Sequence, residues 1–217
     1  MDYSLLTVVM PTLNEAGCVG LMIDALRERY PGIRLRIVDD GSVDGTPQVV
    51  AQRLTPAGDL VFHDRAGAAV KGLTASVLEG LEQVETPYFL VMDADFQHPP
   101  EVVGAMAEQM ALGYPLVLGV RDNVAFRWTF SRLALQRLAA FFSGLRLLFH
   151  GVQARDPMSG FFGGDTTFVR GVIGRHRRRF VLRGYKVLFD LLKSLPPEAE
   201  ITGVCYAFHR RGGGRPK

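Results

Sequence analysis

Three short stretches place acids where a hydrophobic run ends. VVMPTLNE (8–15) closes on Glu15, VDDGSVDGT (38–46) holds Asp39, Asp40 and Asp44, and MDADFQHPPE (92–101) holds Asp93 and Asp95 with Gln97 two residues on. Side chains alternate along a strand, so Asp93 and Asp95 share a side if the strand continues through them. At a strand terminus, an acid–x–acid pair can bring two carboxylates to one hard cation. Mg2+ or Mn2+ prefers such oxygen ligands and is commonly shared with substrate phosphates; the Gln97 amide supplies a further oxygen. The competing reading is a capped turn, with Asp capping a helix after HPPEVV, and DDGS is likewise an ordinary turn sequence. None of the 5 histidines has metal-ligand spacing. His98, beside the acid pair, reads as packing or hydrogen bonding rather than catalysis.

The elements that must position these acids alternate in the first half of the chain. LLTVVMP (5–11) is an apolar, β-branched run stopped by Pro11. The spacing of Val19, Met22, Ile23, Leu26 and Tyr30 predicts a helix through EAGCVGLMIDALRERY. LRIVDD (35–40) is a second strand and GTPQVVAQRL (45–54) a second helix, with Thr46 as N-cap and Pro47 at N1. DLVFHD, LTASVLEGLEQV (73–84) and PYFLVMD (87–93) continue as strand, helix and strand. This βαβαβαβ order with strands apolar throughout predicts a parallel sheet covered on both faces. Ligands bind at the carboxyl ends of strands in such sheets, where the acids stand.

Beyond residue 115 the pattern changes. PLVLGV is a further strand ending at Arg121. AFRWTFSRLALQRLAAFFSGLRLLF (125–149) reads as one or two helices, on which Arg132, Gln136, Ser143 and Arg146 form one polar stripe. A wide apolar face beside arginines fits either a membrane interface, with the cations near lipid phosphates, or burial against the sheet. GYKVLFDLL (184–192) is a later helix.

With 217 residues and 47% hydrophobic content, the chain can bury one substantial core. Net charge is +3, concentrated in RHRRRF (175–180) and the tail FHRRGGGRPK (208–217), which suit an anionic partner or form a solvated basic face. Nucleic acid is not expected as that partner, since no recognition motif accompanies the basic runs. Cys18 and Cys205 are read as lying in apolar surroundings without metal-ligand spacing, in a reduced cytosolic compartment. MDYSLL leads directly into a strand, so no signal peptide is expected. No apolar run reaches 18 residues, so no bilayer span is expected either.

The ordered motifs VVMPTLNE, VDDGSVDGT, MDADFQHPPE and DPMSGFF (156–162) together resemble the inverting nucleotide-sugar glycosyltransferases of the GT-A fold. Within these, the likeness is to dolichol-phosphate mannose synthases and bacterial polyprenyl-phosphate glycosyltransferases, and it runs over nearly the whole chain. The resemblance implies a Rossmann-like, mostly parallel α/β sheet with C-terminal amphipathic helices. Residues 1–122 would form the nucleotide-sugar half and 123–217 the acceptor and membrane-interface half of one catalytic domain. It implies that Pro11, Leu13, Glu15, Val38 and Asp40 line the nucleoside, and that Asp93, Ala94 and Asp95 form the signature acid motif. Asp93, Asp95 and Gln97 are then the metal ligands for Mg2+ or Mn2+. Arg121 approaches the sugar-phosphate region, Arg132 meets the acceptor phosphate, and Arg211 and Lys217 fold over the diphosphate in an F-x-x-R-x-x-G-x-x-K tail beginning at Phe208. Asp95, Arg121 and Arg132 are the catalytic set. The chain departs from the pattern at Leu13, where an aromatic is common, and at Gln136, Phe162, Asp190 and Pro216.

The reaction so implied is metal-dependent, inverting transfer of a hexose, mannose or glucose, from a GDP or UDP sugar to a polyprenyl or dolichyl phosphate. The enzyme would lie peripherally at the cytoplasmic face of a membrane. A phosphate acceptor is already anionic near neutral pH and requires no protein base, whereas a sugar hydroxyl does. Two other readings stay open at this point. A hydroxyl-directed glycosyltransferase would need Asp156 or Asp190 as base, and an inactive nucleotide-sugar-binding scaffold would bind without turnover.

Overall fold

The computed structural model describes residues 1–124 and 156–208. Its elements in chain order are β1 (Leu6–Thr12), α1 (Val19–Arg29), β2 (Arg34–Asp39), α2 (Thr46–Ala51), β3 (Leu60–Asp64), α3 (Leu73–Glu82), β4 (Tyr88–Val91) and α4 (Val102–Ala111). They continue with β5 (Leu116–Val124), β6 (Phe162–Asp165), α5 (Thr166–Arg175), α6 (Val187–Leu192) and β7 (Ile201–Phe208). The seven strands form one sheet in the order β3-β2-β1-β4-β6-β5-β7. All run parallel except β6, which is antiparallel to both β4 and β5.

Period-two alternation assigns the strand side chains to the two faces. Val8 and Met10 of β1 pack with Met22, Ile23 and Leu26 of α1 and Met106 and Met110 of α4 on one side. Val9, between them in sequence, packs with Val77, Leu78 and Leu81 of α3, Val172 of α5 and Leu188 of α6 on the other. Both faces are therefore covered, which is why these strands read as apolar runs without polar interruption.

The first-half elements match their expected positions to within a few residues, with informative shifts. The second helix is capped by Gly45, at φ 94°, rather than by Thr46; Thr46 is its first residue and its Oγ1 donates to Asp44 Oδ1 at 2.6 Å. The fourth strand stops at Val91, so Asp93 and Asp95 lie beyond it on a turn rather than as strand neighbours. The fifth strand runs on past Arg121 to Val124, with an irregularity between Arg121 and Asn123 where it pairs with β7. β6, α5 and β7 were not expected from the sequence. β6 depends on close backbone approach: a Cβ at Gly164 would overlap the Pro115 carbonyl, and one at Gly163 the Phe89 carbonyl. Asp165 then caps α5, accepting from the Phe168 N–H at 2.7 Å. Cys18 is buried as expected, whereas Cys205 is exposed on β7. The helical segment 125–149, with Arg132, Gln136, Ser143 and Arg146, lies outside the described residues, as do Arg211 and Lys217. Among the described residues no helix is long and apolar enough to cross a membrane.

Candidate active site

Because β2, β1 and β4 are parallel neighbours, their carboxyl ends open on one edge of the sheet, β2 and β4 about 10 Å apart at the usual interstrand spacing. Pro11 is buried in β1 next to Val38 of β2. The β1–β4 pairing ends at Val9 and Val91, so the missing Pro11 N–H falls past the β4 ladder.

The loops after β1 and β2 are stitched to each other. Asn14, in the left-handed region at φ 58°, donates its N–H to Ser42 Oγ at 2.8 Å and accepts from the Val43 N–H at 2.9 Å. Thr46 Oγ1 accepts from the Glu15 N–H at 2.9 Å, and Asp44 Oδ2 from the Ala16 N–H at 3.0 Å. Asp39 takes Thr12 Oγ1 at 2.8 Å, Ser42 Oγ at 2.6 Å and the Ser42 N–H at 2.7 Å. Asp39 thus performs the turn chemistry that DDGS permits. Glu15 and Val38 are buried beside this knot and Leu13 is partly exposed.

Asp40 has a different partner. Its Oδ1 meets Arg65 Nη1, and its Oδ2 accepts from the Gly72 N–H at 2.7 Å. Arg65, fully buried, also reaches Glu79 at 2.7 and 2.9 Å, Ser76 Oγ at 2.8 Å and the Val70 carbonyl at 2.7 Å. Five hydrogen bonds use all five guanidinium N–H groups. Sequence reasoning did not single out Arg65. The signal was its place directly after Asp64, at the exit of the third strand, where a ligand-facing residue is expected.

At the exit of β4, Phe96 adopts φ 63°, a left-handed conformation unusual for a bulky side chain. The resulting turn lets Asp95 Oδ1 accept from the Gln97 N–H at 3.0 Å while the Asp95 side chain stays buried. Asp93 is 41% exposed by its side chain. Its N–H donates to His98 Nδ1 at 3.0 Å, which leaves the ring proton on Nε2. Burial holds His98 down to about 4, so the ring is neutral and its 3.8 Å approach to Asp93 Oδ2 is a polar contact rather than an ion pair. The ring stacks on Phe161 at 5.1 Å and meets Tyr206 and Phe208 edge-on at 6.0 and 6.2 Å. This is the packing role expected for it.

DPMSGFF closes the site from β5. A Cβ at Gly160 would stand 3.5 Å from Asp93 Oδ2 and 3.3 Å from His98 Cε1, so this turn abuts the acid loop. Arg121 holds Asp156 side-on, Nε to Oδ2 at 2.6 Å and Nη2 to Oδ1 at 2.7 Å, and lies over the Phe208 ring at 5.5 Å. The hydrogen-bonded carboxylate pushes the Arg121 guanidinium above its ordinary value, so it is a permanent cation. Of the expected site residues within the described segments, the structure gathers Pro11, Val38 and Asp40 around the β1 and β2 exits, and Asp93, Ala94, Asp95 and Gln97 on the β4 turn. Arg121 joins them through the DPMSG turn. Asp190 is elsewhere in role: buried on α6, it pairs with Lys193 at 2.7 Å and accepts from the Val181 N–H at 3.1 Å.

Comparison with known proteins places this arrangement. The profile of "Glycosyl transferase family 2" matches residues 7–172, which take in all four motif stretches. The dolichol-phosphate mannosyltransferase of Pyrococcus furiosus is 29% identical over 97% of this chain, and that of Mycosarcoma maydis 30% identical over 83%. The chain spans 58% and 60% of the lengths of those two relatives. Among solved structures, glucosyl-3-phosphoglycerate synthase from Mycobacterium tuberculosis, in complex with Mn2+, UDP-glucose and phosphoglyceric acid, superposes with a TM-score of 0.69 at 20% identity. The match covers 97% of this chain and 72% of that one. The mostly parallel sheet flanked by helices is therefore the GT-A fold, and the chain belongs to glycosyl transferase family 2.

Proposed function

We propose that the protein carries out metal-dependent transfer of a hexose, mannose or glucose, from a GDP or UDP sugar to a polyprenyl or dolichyl phosphate with inversion at the anomeric carbon, releasing the nucleoside diphosphate. The observation that carries the reading is the convergence of Asp93, Asp95 and Arg121 at one sheet edge, while both carboxylates available as a base for a hydroxyl acceptor, Asp156 and Asp190, are engaged by cations. An anionic phosphate acceptor dispenses with a base. The names of the dolichol-phosphate mannosyltransferase relatives support the same acceptor class.

The acid turn fits a divalent cation. Asp93 and Asp95 offer carboxylate oxygens and Gln97 an amide oxygen, a set suited to Mg2+ or Mn2+ that leaves positions for water and substrate phosphate. Among the described residues no group of three His, Cys, Asp or Glu is arranged to hold a metal ion by itself. A neighbour of the same fold is solved with Mn2+ and UDP-glucose. Such a cation, held by Asp93, Asp95 and Gln97, supplies neutralisation of diphosphate charge.

The rest falls to side chains of this chain. Pro11, Leu13, Glu15, Val38 and Asp40 line the nucleoside, with Asp40 held in place by Arg65 and the Gly72 N–H. Ala94, assigned to the donor with the two acids, is itself buried in the core between them. Arg121, Arg211 and Lys217 offset the negative charge that grows on the departing nucleoside diphosphate, and Arg132 meets the acceptor phosphate. Residues 1–122 serve the donor and 123–217 the acceptor, with the 125–149 segment in peripheral contact with the cytoplasmic face of a membrane. The test is incubation with GDP-mannose and UDP-glucose, Mg2+ or Mn2+, and a short polyprenyl phosphate, followed by mass analysis of the lipid. A lipid phosphate heavier by one hexosyl residue supports the reading. Turnover with a sugar acceptor and none with the lipid phosphate refutes it.

A further inference from the structure

Tyr206 of β7 is in register with Arg121 of β5, so the two side chains stand next to each other on one face of the sheet. Its ring is buried among His98, Phe161 and Phe208, with centroids 6.0, 5.4 and 6.4 Å away. The residue is 4% exposed, its hydroxyl is inaccessible to water, and among the described residues it makes no hydrogen bond of good geometry. The Ser159 hydroxyl is near enough to act on it, and its donor is committed to the Phe161 carbonyl at 3.3 Å while it accepts from the Phe161 N–H at 3.1 Å. Burial is the main influence raising the Tyr206 phenol above its ordinary value, opposed by the Arg121 charge and the Ser159 hydroxyl and reinforced by the charges of Asp156 and Asp93. The group is a protonated donor, poorly satisfied, near an arginine–carboxylate pair.

A buried hydroxyl without a well-formed hydrogen bond destabilises the protein that carries it, since it has lost water and is not fully compensated. Its neighbourhood identifies the acceptor it lacks. Asp156 is 13% exposed by its side chain and Arg121 21%. If Arg121 turns from Asp156 to a phosphate, the carboxylate is left nearly buried without its counter-ion, a strongly unfavourable state unless another donor reaches it. Tyr206 is beside Arg121 in register and within reach of the Asp156 charge, which makes its hydroxyl the candidate for that donor, and a hydrogen bond to a carboxylate is among the stronger kinds.

We propose that Tyr206 is a positioning residue whose hydroxyl takes over Asp156 when Arg121 is drawn to the diphosphate of a nucleotide-sugar donor. No bond is made or broken in this exchange, and no proton is transferred. Tyr206 thereby favours the donor-loaded arrangement over the empty one without touching the donor. The proposal rests on the donor reading above, in which Arg121 approaches the sugar diphosphate.

The test is a four-protein cycle on the whole chain: wild type, Tyr206→Phe, Asp156→Asn, and both together. Binding of GDP-mannose and UDP-glucose with Mn2+ is measured by calorimetry, and thermal midpoints are taken without ligand. Tyr206→Phe is expected to weaken donor binding by about ten-fold, the size of one charge-assisted hydrogen bond, with the unliganded midpoint unchanged or raised. In the Asp156→Asn background, where no charge needs a new partner, adding Tyr206→Phe is expected to change binding less than two-fold. Wild-type affinity in Tyr206→Phe overturns the proposal. So does a lowered midpoint, which would make the hydroxyl structural, and so does an undiminished ten-fold effect in the Asp156→Asn background, which would give Tyr206 an independent role. If wild type binds neither donor, the donor reading falls and this proposal with it. If wild type binds and only the cycle fails, the donor reading stands alone.

Discussion

Arg65 at the exit of β3 grips Asp40 at the exit of β2, and with Glu79, Ser76 and the Val70 carbonyl it forms a fully satisfied guanidinium inside the fold. The pair fixes the carboxylate proposed to line the nucleoside. Replacing Arg65 with Ala strands Asp40 in a buried position and is expected to lower unfolding free energy by about 3–5 kcal/mol, the usual cost of breaking a buried pair. Arg65→Lys restores the charge but not the planar fork, so most of the loss should remain. Urea denaturation of both variants decides this; a loss under about 1 kcal/mol for Ala would show that the network contributes little.

His98 gives the fold a specific acid sensitivity. Its folded value is depressed from 6.5 to about 4, chiefly by burial, so the unfolded chain binds a proton before the folded one does. The stability this neutral ring contributes is complete above about pH 6.5 and lost as pH falls from there to about 4, a total of about 3 kcal/mol. Chemical denaturation across that range, with chelator present, should show this slope in wild type. His98→Gln should flatten it, and an equally steep slope in the variant would assign it to other groups.

Gly164 allows β6 to slot between β4 and β5, because a Cβ there would overlap the Pro115 carbonyl and crowd Leu116. Gly164→Ala is expected to cost about 2 kcal/mol through backbone displacement, a fall in Tm of roughly 4–8 °C for a chain of this size. Calorimetry checks it. An unchanged Tm would mean that β6 relaxes without cost.

Asp95→Asn is nearly isosteric and retains the Oδ1 that accepts from the Gln97 N–H, so the turn should persist. The charge proposed to hold a cation does not. Hexose transfer is expected to fall by about 100-fold or more, with far-UV circular dichroism unchanged. Wild-type turnover would remove Asp95 from the metal set.

Much of the donor half was legible because its signals are local. Each apolar run from β1 to β4 is closed by Pro, Gly or acids, and the helices between them show a 3.6-residue period. The acids at the strand ends followed from that order. The misses share the opposite property. β6 is four residues, FGGD, with no hydrophobic period, and it exists because glycines permit close approach to neighbours far away in sequence. Arg65 draws partners 5, 11, 14 and 25 residues away, and Tyr206 faces Arg121 only once β5 and β7 pair. Asp93 and Asp95 were recognised by type, but their separation into an exposed and a buried carboxylate depends on the left-handed Phe96.

The central claim is that the turn after β4 holds the diphosphate of a sugar nucleotide through a divalent cation. Crystals soaked with Mn2+ and GDP or UDP, measured at the manganese absorption edge, test it directly. The account predicts one anomalous peak bonded to Asp95 and to a diphosphate oxygen, with the nucleoside lying toward Asp40. A diphosphate seated away from Asp93 and Asp95, or manganese absent from that turn while the nucleotide is present, would contradict it.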